Sequence, residues 1–342
     1  FRLMTVPQPI PTGAVRFNTD SGKMEVYIGS TWMQVAVSSP DLGNSDAGVR
    51  GLQMGGQSPG NNITNSIEMI TISTTGSAAD FGDSTVNVYE GGAVGSRTRA
   101  VHFHSANPSG TNVIEFCNFA TTGNTQDFGD RTGTETWFTA FGNETRGIKV
   151  GGWTPANNTM DFVTIAQTGN AVDFGDIRNG AQTDAATASP TRGVIFMSAA
   201  PGNNYYNYID YVTIATTGNA EDFGQSSLGS GVYGNVGGGN ATRGITYGGV
   251  PAAPIEYVTI ASRGNTTVFG DFVVSGHNTQ ARYSASCCSS TRMVIGGGYT
   301  PAAIEDYFFL EISSQGTFVE FGDLAATQRK FQAGCSNGHG GL

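Results

Sequence analysis

Fifty glycines in 342 residues, with only 38% hydrophobic and 13% charged side chains, exclude charge-laced helices and point to short strands joined by tight turns. The glycines follow no G-x-y period, and aromatics at 10% are too many for a disordered tail. Acidic residues outnumber basic ones 27 to 17, and lysine is confined to Lys23, Lys149 and Lys330. The chain therefore lacks the basic patch of a nucleic-acid binder and the polybasic stretch that holds a protein on anionic lipid. No apolar run approaches the roughly 18 residues of a membrane-spanning helix. The sequence opens on Phe1 rather than Met, so no leader is read from it.

Residues 1–40 stand apart from the rest of the chain. Pro7, Pro9 and Pro11 mark an extended lead-in. Residues 14–28 read as strand, turn and strand, followed by a short run at 31–35, and a linker falls near 38–44. This is a small N-terminal β-hairpin module over 1–40.

Beyond the linker the chain repeats. Asp80-Phe81-Gly82-Asp83 returns as Asp127-Phe128-Gly129-Asp130, Asp173-Phe174-Gly175-Asp176, Asp222-Phe223-Gly224-Gln225, Val268-Phe269-Gly270-Asp271 and Glu320-Phe321-Gly322-Asp323. The phenylalanines are spaced 47, 46, 49, 46 and 52 residues apart. Arg50, Arg99, Arg146, Arg192, Arg243 and Arg292 recur in step, usually after Thr and before Gly. Between the two markers lies a period-2 segment such as 209–214, closed by Thr-Thr-Gly-Asn, which reads as a half-buried strand followed by hairpin chemistry. The sixth copy, at 304–312, carries extra residues and reads as a bulged strand. Four strands in about 48 residues make a propeller blade of kelch-like length. The expectation is an all-β chain whose residues 41–342 form a six-bladed β-propeller of four-stranded blades.

The end of the chain bears on how that ring closes. Residues 329–337 match 282–290, the opening of the preceding unit, whereas the first unit begins abruptly near Gly43. The C-terminal segment is thus expected to supply the first strand of blade one and to remove an exposed edge. Cys117, Cys287, Cys288 and Cys335 contain no C-x-x-C and read as small buried hydrophobes.

Several motifs bear on function. Asp-Phe-Gly occurs in protein kinases as a magnesium ligand, but six copies without a kinase's other motifs make it a framework element here. Each Phe would fill the contact between blades, each Gly permit a bend and each Asp bond the turn backbone. The six arginines run in register with Glu68, Glu115, Asp161, Asp210, Glu256 and one of Glu305 or Asp306. They either line a central channel or pair with those carboxylates as bidentate bridges. His102 and His104 fall on one face of a strand, a weak metal-like pair that a trimer axis could complete; otherwise the pair is incidental. No metal or other cofactor is assigned. The Asn-x-Ser/Thr sequons at Asn62, Asn143, Asn157, Asn240 and Asn265 carry little weight in a chain so rich in Asn and Thr.

The connections at 55–65, 105–111, 151–159, 199–208 and 298–303 differ in every unit, and variable loops on a regular scaffold are where binding usually lives. Trp153, Tyr205, Tyr206, Tyr208 and Tyr299 are the candidate receptor-binding residues; flat aromatics beside amides suit sugar faces. The same loops could instead make oligomer contacts. No Ser/His/Asp set breaks the repeat, so no catalytic residue is assigned.

The run at 209–224, Ile-Asp-Tyr-Val-Thr-Ile-Ala-Thr-Thr-Gly-Asn-Ala-Glu-Asp-Phe-Gly, with Thr-Arg-Gly and Gly-Gly between copies, resembles repeats of virion structural proteins from tailed phages, notably cyanophages. The stretch from Gly13 through Trp32 resembles a short hairpin common in phage fibre and appendage proteins. The resemblance implies a non-enzymatic tail fibre or similar appendage on the particle's exterior, often homotrimeric. It would join other virion proteins through the N-terminal module and bind a host surface glycan or envelope protein through the propeller loops. A capsid decoration protein without a receptor is the alternative, and a glycan depolymerase a further one. The boxes of sialidase-type propellers do not occur in this sequence.

Overall fold

The computed structural model describes residues 10–18, 23–34, 49–105, 109–180, 182–196, 199–200, 204–229, 231–250, 253–271, 282–299, 302–325 and 327–342. The linker expected near 38–44 lies outside these residues, as do parts of the variable connections. Contacts divide the chain into two compact units, Phe1–Asn44 and Ser45–Leu342. Among the described residues the regular structure is strand, apart from one 3-10 turn at Pro59–Asn61.

The first unit carries a three-stranded antiparallel sheet, Val15–Asn18, Lys23–Ile28 and Thr31–Gln34. It is thus a meander one strand longer than the expected hairpin. Arg16 pairs with Glu25 at 2.8 Å and lies 4.2 Å over the Trp32 ring, which fixes the register of all three strands.

The second unit holds six four-stranded antiparallel sheets. Sheet one is Ala333–Ser336, Arg50–Met54, Ser66–Thr71 and Ala79–Asp83. Sheet two is Gly92–Gly95, Arg99–Phe103, Val113–Asn118 and Gln126–Asp130. Sheet three is Thr139–Gly142, Arg146–Val150, Thr159–Thr164 and Val172–Asp176. Sheet four is Ala185–Ala188, Arg192–Phe196, Tyr208–Thr213 and Glu221–Gln225. Sheet five is Val236–Gly239, Arg243–Tyr247, Ile255–Thr259 and Thr267–Gly270. Sheet six is Ala285–Cys288, Arg292–Gly296, Asp306–Glu311 and Val319–Asp323.

The first strand of sheet one comes from the far end of the unit, with Ala333 opposite Met54 and Ser336 opposite Gly51. The sequence match of 329–337 to 282–290 is one residue out of register. Ala333 occupies the place of Ala285, so Lys330 corresponds to Arg282 and Phe331 to Tyr283. First strands of successive sheets touch, from sheet one through sheet six and back to sheet one. They are rich in Gly, Ala, Ser and Cys because their backbones approach closely, while Val94, Phe141 and Val236 join the core.

The seams between sheets explain the Asp-Phe-Gly motif. The ladder slips by one residue at the same point in every sheet, for example between Met160 and Asp161 in sheet three. Asp161 then faces Asp173 while Met160 faces Gly175, which leaves Phe174 as the extra residue of a β-bulge. The bulge turns Phe174 onto Ala186, Ile195 and Val212 of sheet four, where it is 2% exposed. Such burial stabilises by about 1.5–3 kcal/mol per side chain. Because all six sheets carry this bulge, it does not distinguish the sixth. The strand there is Asp306–Glu311, and the extra residues lie before it.

Gly175 has φ 139°, and a Cβ on it would sit 2.4 Å from Gly218 O in the turn of sheet four. The gap is closed by hydrogen bonds. Gly218 N–H donates to Phe174 O at 2.7 Å and Ala220 N–H to Asp176 O at 2.8 Å. The Asp176 N–H donates to Asn219 Oδ1 at 3.0 Å. The expected bond from the motif's aspartate to the turn thus runs the other way, from motif backbone to turn side chain. Gln225 can replace Asp in sheet four because only its backbone is used: its N–H donates to Asn265 Oδ1 at 3.0 Å.

The arginines belong to the same seams. Arg146 Nη1 donates to Ile214 O of the next sheet at 2.9 Å, with the guanidinium 4.7 Å over its own sheet's Phe162. Arg99, Arg192 and Arg243 repeat this on Ile165, Ile260 and Ile312, and Arg292 returns to Ser73 of sheet one. They neither line a channel nor pair with the carboxylates expected from the sequence.

Those carboxylates are buried and hold the segment that leaves the preceding sheet. Glu115 accepts from Thr85 N–H at 3.2 Å, Asp210 from Arg178 N–H at 3.3 Å, Glu256 from Ser227 N–H at 3.1 Å and Glu68 from Ala325 N–H at 3.1 Å. In sheet six the position is held by Phe308, not by Glu305 or Asp306. Two sequons are turn chemistry as well. Asn143 and Asn240 accept from Arg146 and Arg243 N–H, a role taken by serine at Ser96, Ser189 and Ser289.

Candidate functional site

The first strands of all six sheets enclose a cavity of about 150 Å³. One mouth is ringed by the residues that lead into those strands. The residue two positions ahead of each strand is Glu90, Trp137, Thr183, Gly234, Tyr283 or Phe331. Glu90, Trp137, Tyr283 and Phe331 hold φ between 58° and 61°. This left-handed region is uncommon for any residue with a Cβ, and strained backbone of this kind concentrates at functional sites.

The rings meet over the mouth. Tyr283 and Phe331 have centroids 4.4 Å apart, and Trp137 stands edge-on to Phe331 at 5.2 Å and to Tyr283 at 5.6 Å. Tyr233 extends the group at 6.4 Å from Tyr283. Charged groups stand beside them. Arg282 and Lys330 lie on the Tyr299 ring, each 5.0 Å from its centroid. Glu90 and Asp184 line the cavity. Burial, reinforced by Asp184 and opposed by Lys330, pushes the Glu90 carboxyl up to about 9, so it carries its proton at neutral pH. Burial and the Arg282 charge lower the Lys330 ammonium, against a pull from Glu90.

The structure sorts the aromatic residues singled out in the sequence. Tyr299 is part of the mouth. Tyr205 is 41% exposed and stacks on Tyr233, with centroids 5.5 Å apart and planes 17° from parallel. Trp153 is tied to the mouth through its backbone, donating to Thr136 O at 2.7 Å one residue ahead of Trp137. Tyr206 and Tyr208 face elsewhere. They stack on each other at 4.8 Å and pack against the core between sheets three and four. Tyr208 also carries Arg178 at 4.2 Å and accepts from Asn179.

His102 and His104 do share a strand face, with ring centroids 4.6 Å apart, but they are 1% and 0% exposed. A buried pair cannot present its nitrogens to a trimer axis. Their neighbour is Glu115, 3.3 Å from His104 Nε2. Burial would raise that carboxyl, but His104, Thr125 and Thr85 hold it down at about 2. Among the described residues no group of three or more His, Cys, Asp or Glu is placed to hold a metal. The four cysteines are free and buried, and burial pushes the thiols up.

Sequence reasoning missed Glu90, Trp137, Asp184, Tyr233, Arg282, Tyr283, Lys330 and Phe331. The signal that would have found them is an aromatic or charged residue just ahead of each of those strands. The one-residue slip in aligning the chain's end hid it. Comparison with known protein families finds no matching model, and comparison with curated proteins finds no similar one.

Proposed function

We propose that residues 41–342 form a six-bladed β-propeller of kelch-like blades, and that the protein is a non-enzymatic appendage on the exterior of a phage virion. The propeller reading is supported by six equivalent sheets whose first strands touch in cyclic order, with the last strand of the chain completing sheet one. In this reading the module at 1–40 attaches to other virion proteins, and the mouth and its loops bind a host surface glycan or envelope protein. Trimers and several copies per particle would raise avidity by roughly 10²–10⁴ without new contacts.

One observation carries the binding role. The position two residues ahead of each first strand is equivalent in the sheets but chemically different, while the Phe and Arg columns of the seams keep their chemistry in all six. A scaffold needs only the seams; a ligand site needs the variety. The test is adsorption of the labelled protein to host cells. Tyr205→Ala with Trp137→Ala should reduce adsorption while leaving the fold, read by circular dichroism, in place. Tyr206 and Tyr208 are unsuitable probes because they pack against the core. If the double variant adsorbs like the wild type, the mouth is not the receptor site and a decoration role without a receptor gains.

A further inference from the structure

Cations in the second unit are, as a rule, already engaged. Among the described residues Arg97, Arg131, Lys149, Arg178, Arg263, Arg292 and Arg329 pair with carboxylates. Arg50, Arg99, Arg146, Arg192 and Arg243 donate to carbonyls. Arg282 and Lys330 do neither, and the guanidinium's hydrogen bond goes to the Tyr233 hydroxyl at 3.2 Å. They are equivalent residues of adjacent sheets and sit on one ring, Tyr299. Two like charges share that ring beside Glu90 and Asp184, and Asp184 is already held by Gly234 N–H at 2.8 Å, so an anion between the two cations would relieve their repulsion.

The surroundings narrow what that is. Ring faces of Trp137, Tyr283 and Phe331 offer flat apolar surface beside the cations. Glu90 adds a protonated carboxyl that can donate to a hydroxyl. Anion, apolar face and hydroxyls together describe an acidic sugar.

We propose that the mouth is a binding site for a carboxylate-bearing sugar residue, its carboxylate between Arg282 and Lys330 and its ring against Trp137 and Phe331. This rests on the reading of the mouth as the receptor site and names the ligand class. The probes are digalacturonic acid and its methyl ester, titrated calorimetrically into the full chain. The acid should bind at least about tenfold more tightly than the ester, because a charge-assisted hydrogen bond is lost with the charge. Arg282→Gln with Lys330→Gln should abolish that preference without lowering the melting temperature. Should the double variant fold poorly, the acid–ester comparison on the wild type decides alone. Equal binding of acid and ester, no binding of the acid, or tighter binding of an acetylated peptide with a free C-terminus would each overturn the assignment. Adsorption to host cells is scored separately. Cells that bind without competition by the acid refute the sugar and leave the receptor role; an acid that binds while cells do not refutes the receptor role alone.

Discussion

At the seams one position carries Phe81, Phe128, Phe174, Phe223, Phe269 and Phe321, each 2–3% exposed on a bulge. At the mouth the corresponding column reads Glu90, Trp137, Thr183, Gly234, Tyr283 and Phe331, and five of these, all but Thr183, sit in left-handed backbone. The seams repeat because each solves the same problem, filling a wedge between two sheets with one ring. The mouth varies because nothing in the packing dictates its side chains. The conformation it imposes even works against them, at roughly 1–2 kcal/mol per residue. The backbone there is structural, since Tyr283 N–H donates to Gly234 O, Phe331 N–H to Tyr283 O and Glu90 N–H to Phe331 O, each at 2.9 Å, and only the side chains it carries are left to vary.

Breaking the ring at its closing strand tests the seams most severely. A chain ending before Arg329 loses the first strand of sheet one and that strand's contacts with the first strands of sheets six and two, and should show no cooperative thermal transition; a normal melt would show that the other five sheets suffice. Phe223→Ala removes one wedge, packed on Val258 and Ile260, and should cost about 3–5 kcal/mol in denaturant unfolding. Gly175→Ala forces a methyl against Gly218 O and should cost about 1–3 kcal/mol, with sheets three and four disturbed together.

Two carboxyls sharpen the contrast by pH. Glu115, in a seam, is held down at about 2 from its ordinary 4.5, so its contribution is complete above 4.5 and is lost as pH falls toward 2. Glu90, at the mouth, is raised to about 9, so its contribution is complete below 4.5 and is lost as pH rises toward 9. Glu115→Gln should therefore lower the melting temperature at pH 7 but hardly at pH 2. Glu90→Gln should raise it at pH 8 and leave it unchanged at pH 4. The smallest effect is expected for Trp137→Gly. The lost ring contacts, about 0.5–1.5 kcal/mol each, are partly returned by relief of the left-handed backbone. A loss as large as that of Phe223→Ala would remove the distinction between seam and mouth.

The repeat was legible because seam residues recur at fixed spacing. The alternation in 209–214, the Arg marker and the Asp-Phe-Gly bulge all come from local chemistry that each unit must reproduce. The partners of the markers were not legible. The arginines reach carbonyls one sheet on, and the carboxylates reach backbone of the sheet before, contacts that no local spacing encodes. Phe308 in place of a carboxylate was hidden because Glu305 and Asp306 lay nearby in sequence. For the site, aromatics in visibly variable loops drew attention, and Tyr205 and Tyr299 do stand at or beside the mouth. Trp137, Tyr283 and Phe331 were passed over because each looks like an ordinary residue leading into a strand.

The pairing of Ala333–Ser336 with Arg50–Met54 also governs the order of events during synthesis. Arg50–Met54 is made early, yet the strand that pairs with its outer side emerges only after the five intervening sheets. Until Ser336 has left the ribosome, Arg50–Met54 presents a bare edge to anything that can add a strand. Cutting the chain instead at the exposed turn Leu228–Gly229, between sheets four and five, and joining the two ends of the unit, would give a permuted protein with the same seams and mouth. Each of its six sheets would then be built from strands made one after another.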